Sequence, residues 1–411
     1  MTKTVWIVNQ YASTPEYGYA GRHYYLGKEL AKQGYNVYLI TSGAHHLLRE
    51  KPVFDSMFRC DRQGNFTVVW VRMPSYSEAH SKVRALGWFL FSYRIKKLAK
   101  LIPDPPDVVV CSSPSLISFM GSKSLALKFG ARLVFEVRDI WPLTLTEVGG
   151  FSQKHPFIRL MQWVEDRAYR DSERVISNLK NSVEHMISRG MPRSKFAWVP
   201  NGFSLEEVGL KAPLNSTANG QLPLDKFIVG YTGAIGTANA LDTLVDAAER
   251  LRQYSDIAFV LVGAGKEKVA LQQLVKEKDL NNVYFIDPIP KVEIQAMLAK
   301  FNACYIGLTK DPLFRFGVSP NKLFDYLYSA KPVIYAIDSG EYKPIEEAGA
   351  GLQVPAQDAE KLADAVLRLY QLSPQERDAL GENGRKAALE QHEYSQLAQN
   401  FSNILFEGLE S

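Results

Sequence analysis

A chain of 411 residues, 46% hydrophobic and 22% charged, can bury two ordinary cores and is neither disordered nor fibrous in composition. Its net charge of +4 conceals a division: residues 1–200 hold 28 Lys and Arg against 16 Asp and Glu, the remainder 20 against 28, so a basic half precedes an acidic one. No apolar run reaches the roughly 18 residues of a membrane span, the first ten residues do not read as a signal peptide, and Cys60, Cys111 and Cys304 are too scattered for a disulfide framework or a CxxC site, so the expectation is a cytoplasmic chain without a span.

In chain order, the first strand is expected at Val5–Val8, and it runs into Tyr17-Gly18-Tyr19-Ala20-Gly21-Arg22 and an amphipathic helix ending near Gly34. Glycines at a strand-to-helix turn let a ligand approach backbone amides, although a tight turn alone would use them too. Strands follow at Val37–Ile40 and Val68–Val71. The segment Ser81–Lys100 then mixes Lys82, Arg84, Arg94, Lys96, Lys97 and Lys100 with Trp88, Phe89, Phe91 and Tyr93; it reads either as a helix lying in a bilayer interface or as one packed on the core with solvated lysines. Strands at Val108–Cys111 and Leu133–Val137 come next, the latter leading straight into Arg138-Asp139-Ile140-Trp141-Pro142. Charged residues at the C-terminal edge of a parallel strand face the ligand crevice, which makes Arg138 and Asp139 site candidates. Val175–Ser177 and Phe196–Val199 complete the series, and Gly202–Pro223, rich in Gly, Asn, Ser, Thr and Pro, reads as an interdomain linker.

A second series opens at Phe227–Tyr231, whose loop Thr232-Gly233-Ala234-Ile235-Gly236 and following helix start offer free amides to a diphosphate. Ala258–Val262 leads into Gly263-Ala264-Gly265, which lacks the third glycine of a dinucleotide fingerprint; Gly18 and Gly21 have the wrong spacing, and NAD binding is disfavoured. Strands at Val283–Ile286, Ala303–Ile306, Val333–Tyr335 and Gly351–Val354 follow. Between them, Ser319-Pro320-Asn321-Lys322 is expected to open a helix with Ser319 as cap and Pro320 at its first position, placing Lys322 in the first turn. A cation there opposes the helix dipole unless it holds an anion. Asp325, one turn along, can accept the two hydroxyls of a ribose or merely pair with Lys322. The last stretch, from about His392 to Gly408, is expected to be a helix crossing back to the first lobe.

Strand and helix alternation on both sides of a linker implies an α/β architecture of two Rossmann-like, doubly wound lobes facing a central cleft, with domains at 1–200 and 223–390, a linker at 201–222 and a C-terminal helix at 391–411.

At these residues the chain resembles the family 4 retaining glycosyltransferases of GT-B fold, particularly the branch that builds bacterial O-antigen and capsule sugars. The likeness runs over nearly the whole chain: Gly21 to Thr41, Glu136-Val137-Arg138-Asp139-Ile140-Trp141-Pro142, Pro200-Asn201-Gly202, Gly233 to Asp242, Leu261 to Gly265, Ser319 to Val333, and Ile345 to Gly351 with Val354-Pro355. It implies a nucleotide-sugar donor, UDP-linked by family habit, in the second lobe, and a lipid-linked or glycan acceptor in the first. It also implies retention of anomeric configuration without a dedicated metal or cofactor. The donor contacts would be Gly233, Gly236, Gly263, Gly265, Arg315, Ser319, Lys322 and Asp325; the acceptor side Gly21, Arg22 and His23; the catalytic groups Asp139, Arg138 and Lys322. The sequence departs from the family where an Arg and a Lys usually meet the diphosphate, with Ala234 and Asn239 in those places, and where two glutamates with seven residues between them usually stand, with Gly317 and Asp325.

The basic first half and the family's polyprenyl diphosphate-linked acceptors imply attachment to an anionic membrane through Trp88, Phe89, Arg94 and Lys97, on the inner face of the plasma membrane. No nucleic-acid motif accompanies the basic residues. A nucleotide-sugar epimerase of the same shape and a catalytically silent sugar-nucleotide binder remain open alternatives at this point.

Overall fold

The computed structural model describes residues 2–75, 82–209 and 212–409. Ser81, where the basic aromatic segment begins, and Leu210 and Lys211 of the expected linker lie outside the described residues, as does the side chain of Lys82. The chain divides into two compact units, Met1–Asn201 with Tyr394–Ser411, and Gly202–Glu393.

The first unit is built on eight strands: β1 (Thr4–Val8), β2 (Asn36–Ser42), β3 (Phe58–Gln63), β4 (Phe66–Val71), β5 (Val108–Ser112), β6 (Arg132–Val137), β7 (Arg174–Ser177) and β8 (Phe196–Trp198). Their order is β3-β4-β2-β1-β5-β6-β7-β8, all parallel except the β3–β4 hairpin. β1, β4 and β5 are continuous buried apolar runs, as strands covered on both faces must be. Strand order reverses direction between β1 and β5, so the loops leaving their C-terminal ends diverge and open a crevice. β3 was not expected: Phe58-Arg59-Cys60-Asp61-Arg62-Gln63 has no apolar run, because it is a half-exposed edge strand, where charges discourage pairing with another chain.

The helix Tyr394–Phe406 belongs to this unit. It lies on the helix Arg22–Lys32, with Tyr394 stacked on Tyr25 at 5.1 Å, Phe406 stacked on Tyr35 at 4.8 Å, and Leu397, Phe401 and Leu405 inside the core.

The second unit carries six parallel strands, β9 (Phe227–Thr232), β10 (Ile257–Val262), β11 (Val283–Ile286), β12 (Ala303–Gly307), β13 (Val333–Ala336) and β14 (Gly351–Val354), ordered β11-β10-β9-β12-β13-β14. Period-two alternation sends Val229, Tyr231, Phe259 and Leu261 to a core under the helices Leu241–Arg250 and Ala359–Gln371. Ile228, Val260 and Val262 go to a second core under Asn321–Tyr328 on the opposite face. The switch in strand order falls between β9 and β12. The stretch read as a linker is instead part of this unit: it forms the helices Leu205–Val208 and Ser216–Gly220, and Phe203, Val208, Ala218 and Leu222 are buried in the second core. Its polar composition hid four well-spaced apolar anchors.

Among the described residues no helix is long and apolar enough to cross a membrane.

Candidate functional site

At the switch point of the second unit, three loops meet above the strand ends. Gly233 and Gly263 follow β9 and β10 directly, and the loops zip together through Gly233 N–H to Val262 O at 3.0 Å and Ile235 N–H to Ala264 O at 2.8 Å. A Cβ on Gly263 would lie 1.9 Å from the Gly233 carbonyl oxygen, and one on Gly265 2.0 Å from that of Ile235. Those two glycines therefore have a structural reason to exist, independent of any donor. Gly236 differs: it is open, the nearest atom to an added Cβ being Asn239 Nδ2 at 3.8 Å. The zipped loops and the turn after β11 enclose a pocket of about 280 Å³ lined by Gly233, Ala234, Gly263, Pro288, Ile289 and Ile294.

The ammonium of Lys322 reaches this loop. It donates to the Tyr231 hydroxyl at 2.7 Å and to Asn239 Oδ1 at 3.1 Å, and it would stand 3.2 Å from a Cβ on Gly233. Tyr231 and Asn239 in turn both donate to the Ala234 carbonyl. Among the described residues every partner of the cation is neutral, and burial lowers its pKa to about 8. Lys322 lies in the first turn of its helix, but the cap differs from expectation: Pro320 is extended and occupies the cap position, the helix begins at Asn321, and no side chain caps it. Pro320 has no side-chain oxygen to accept a cap bond, so the expected place of Ser319 as the cap residue is taken by a residue that cannot cap.

Asp325 is half-buried, and burial raises its carboxyl to about 6, with Lys291 pulling it down and Glu207 pushing it up. Among the described residues no ion pair joins it to Lys322. Arg315 is exposed, stacked 4.3 Å over Phe316, and donates to the Pro312 carbonyl. Gly317 has φ +95°, which a side chain resists, so the backbone here is rebuilt around glycine and does not simply lack a glutamate.

In the first unit, Arg138 and Asp139 leave β6 near the β1/β5 switch. Ser113 Oγ accepts from the Arg138 N–H at 2.8 Å and fixes the turn. The Arg138 guanidinium is half-buried and, among the described residues, has no hydrogen-bond or ion-pair partner; its Nε is fully covered, and burial lowers its pKa against the opposing pull of Glu136. Asp139 is exposed at the surface, yet the chain massed round it raises its carboxyl above the ordinary value, against the pull of Arg138.

Arg22 and His23, expected to face the acceptor, face inward. Arg22 Nε donates to Glu136 Oε1 at 2.8 Å, its two terminal nitrogens to the Pro200 and Val199 carbonyls, and His23 Nε2 contacts Glu136 Oε2 at 2.5 Å. All three side chains are buried. Burial lowers the His23 pKa, and the Asn9 amide stands 3.2 Å from its Nδ1, an arrangement suited to a neutral ring donating to Glu136. Gly21 holds the residue before their helix in extended backbone without a cap bond. Arg22 and His23 thus brace the loop, their polar atoms turned to Glu136 and to the Val199 and Pro200 carbonyls.

The helix Lys82–Ile95 divides the expected membrane contacts. Trp88 is only 4% exposed: its indole N–H donates to the Tyr11 hydroxyl at 2.6 Å and its ring meets Trp141 and Phe157. It is core, because an indole that finds both a partner and neighbouring rings is better buried. Arg94 folds back on the Arg72 carbonyl. Phe89 is exposed and Lys97 lies exposed over the Tyr93 ring, while Leu86, one turn before Phe89, and Tyr93 itself are exposed on the same side of the helix.

Several participants escaped the sequence reading. Glu136 looked like a strand residue, and only burial of a carboxylate between two basic side chains marks it. Tyr231 looked like strand, and Asn239 stood out only as a departure from the family's diphosphate cation; their bonds to Lys322 appear only when that residue is brought to them.

Two such sheets with helices on both faces, each with its crevice at a switch in strand order, define the GT-B class. Residues 21–207 match the model described as Glycosyltransferase Family 4, and residues 215–387 the model described as Glycosyl transferases group 1. The chain is thus a glycosyltransferase of GT-B fold, with a Family 4 first half and a group 1 second half. It is 24% identical over 306 residues, 72% of this chain and 74% of the relative, to the "Putative colanic acid biosynthesis glycosyl transferase WcaI" of Escherichia coli (strain K12). In fold it is similar to a sucrose-phosphate synthase from Thermosynechococcus elongatus (18% identity, TM-score 0.69, 98% of each chain) and to Anabaena HepE solved in complex with UDP (14% identity, TM-score 0.66, 99% of this chain and 100% of that one).

Proposed function

We propose that the chain moves a sugar, with retention of configuration, from a UDP-sugar held by the second unit to a lipid-linked or glycan acceptor held by the first, in the synthesis of a bacterial surface polysaccharide. The observation that carries this reading is Lys322, a desolvated ammonium bonded to the neutral Tyr231 and Asn239 beside a glycine loop and an apolar pocket. A cation held that way favours an anion at the same spot. In the proposed pose the uracil occupies the pocket near Pro288 and Ile289, Asp325 accepts the ribose hydroxyls, and Lys322 meets the diphosphate, with Arg315 swinging in as a second cation and amides near Gly236 and Ser319 contributing.

Transfer breaks the bond between the anomeric carbon and the phosphate oxygen and forms one to the acceptor oxygen. Positive charge grows on the sugar and negative charge on the departing diphosphate, so neutralising the leaving group is the main catalytic task. Asp139 is proposed to orient the acceptor hydroxyl and to take its proton, and Arg138, whose guanidinium has no partner among the described residues, to hold an anionic part of the acceptor. The colanic acid wording in the relative's name and the UDP in the HepE complex support the choices of pathway and nucleotide. No dedicated metal or cofactor is invoked, and the exposed Phe89, Tyr93, Lys96 and Lys97 support work at the inner face of the plasma membrane.

A panel of UDP- and GDP-sugars, read by thermal shift and by release of the nucleoside diphosphate in the presence of membrane-extracted lipid acceptors, tests the reading. Stabilisation and release with a UDP-sugar are expected; conversion of a UDP-sugar to its epimer without any acceptor would replace transfer by epimerisation.

A further inference from the structure

The first unit contains a second cavity, of about 480 Å³, that the proposed chemistry does not use. Pro142 and Leu143, directly after the Asp139 turn, form one wall; the helix Pro156–Asp171 supplies Arg159, Gln162, Trp163 and Asp166, and Arg189 closes the far side. Trp163 is 47% exposed, and Arg167 braces it from 4.9 Å over the ring. The polar lining is held in place by its own network. Gln162 Nε2 donates to Glu165 Oε2 at 2.6 Å and to Asp166 Oδ1 at 2.9 Å, Arg189 grips Asp166 through two bonds at 2.8 and 2.6 Å, and Glu165, 1% exposed, also accepts from Tyr169 at 2.8 Å.

An exposed indole edged by fixed planar amide and guanidinium groups is the chemistry that recognises a pyranose: the ring covers the apolar C–H face, and the polar groups take the hydroxyls. The Gln162 amide nitrogen is committed, so its carbonyl oxygen faces the task of accepting. Asp166 is neutralised by Arg189, which suits a neutral sugar over an anionic one. Exposed Phe151 and Leu160 nearby in sequence raise the alternative of a hydrocarbon chain, but hydrocarbon would cover the Gln162 carbonyl oxygen without giving it a donor, which a sugar hydroxyl supplies.

We propose that this cavity holds a neutral sugar residue of the acceptor, one or more units removed from the hydroxyl that reacts near Asp139. The assignment rests on the reading that the first unit takes the acceptor. Saturation-transfer NMR on the full chain, with the methyl glycosides of glucose, galactose, mannose, fucose and N-acetylglucosamine and with farnesyl phosphate, tests it. At least one sugar should give a signal that falls about fivefold or more in Trp163→Ala, falls in Gln162→Ala, and survives in Lys322→Ala. Because Trp163 is half exposed, the Ala variant should keep its melting temperature, and Trp163→Phe should restore part of the signal. The proposal is overturned if no sugar signal depends on Trp163, or if only farnesyl phosphate shows that dependence. UDP calorimetry run in parallel keeps the two readings apart, since absent UDP binding would defeat the donor site alone.

Discussion

Arg22 Nε and Glu136 Oε1 lie 2.8 Å apart with 2% and 0% of their side chains exposed, a buried ion pair completed by His23 and two carbonyls. Glu136→Gln leaves the guanidinium without its counter-charge. Loss of about 3–5 kcal/mol from the unfolding of the first unit is expected in denaturant melts. The pairing holds the Glu136 carboxyl well below its usual range, although burial alone would raise it. Its contribution is therefore complete above the unfolded value of about 4.3 and fades as pH falls further. The gap between wild type and variant should narrow below about pH 4, and a gap independent of pH would contradict the ion-pair account.

Burial sets Lys322 at about 8 and Asp325 at about 6. Donor binding needs the ammonium charged and the carboxylate ionised, so affinity for the UDP-sugar should rise as pH climbs through about 6 and fall as it passes about 8. The intact nucleotide sugar is the right probe, because a terminal phosphate titrates near the lower limb, at about 6. Calorimetry near pH 8 in two buffers of different ionisation heat should show proton uptake on binding. Lys322→Ala and Asp325→Ala should each lose about 1.5–3 kcal/mol and flatten the limb that they govern; unchanged affinity in both would remove this donor site.

Asp139→Asn keeps the volume of the side chain and removes its charge. Nucleotide affinity should stay within about twofold while transfer drops by about 100-fold or more, the scale of general-base catalysis. Full transfer activity would take Asp139 out of the mechanism.

Glycine substitutions separate architecture from ligand contact. Gly263→Ala drives a methyl into the Gly233 carbonyl and should unfold or lower the melting temperature of the second unit, whereas Gly236→Ala meets nothing closer than 3.8 Å and should melt normally. If Gly236→Ala then binds UDP weakly, the amide beside it is a donor contact; normal binding would exclude that.

Membrane attachment should depend on Leu86, Phe89 and Tyr93 together with the exposed lysines, not on Trp88. Flotation with anionic vesicles at low salt should be lost at high salt and weakened in Phe89→Ser/Tyr93→Ser, each basic residue adding about 1 kcal/mol of attraction. Trp88→Ser should instead lower stability. Equal flotation on neutral vesicles, or none on either kind, would leave this face to some other purpose.

Thirteen expected strands are all present within a residue or two of their places, because each is an apolar run bounded by turn residues and a doubly wound sheet asks for nothing else. The edge strand β3 and the packed stretch after Asn201 were missed where polar composition outweighed a few anchors. Lys322 could be picked out by its conflict with the helix dipole. Arg22, His23 and Trp88 could not be read correctly, since the charged or amphipathic character that suggested an outward role is satisfied internally by Tyr11, Glu136 and Pro200, partners 77 to 178 positions distant. Side-chain direction is set by tertiary pairing, which no local pattern carries.

The membership of Tyr394–Phe406 in the first unit has a bearing on biosynthesis. The ribosome delivers most of that unit first, then the whole of Gly202–Glu393, and only afterwards the helix that covers Tyr25 and Tyr35. At about 5–20 residues per second, the nascent sheet waits roughly 10–40 s with that flank bare while its neighbour emerges and folds. The later-made unit is thus the earlier to be finished, and a chain stopped at Glu393 should release one sound domain attached to another still exposing the apolar side of its first helix to chaperones.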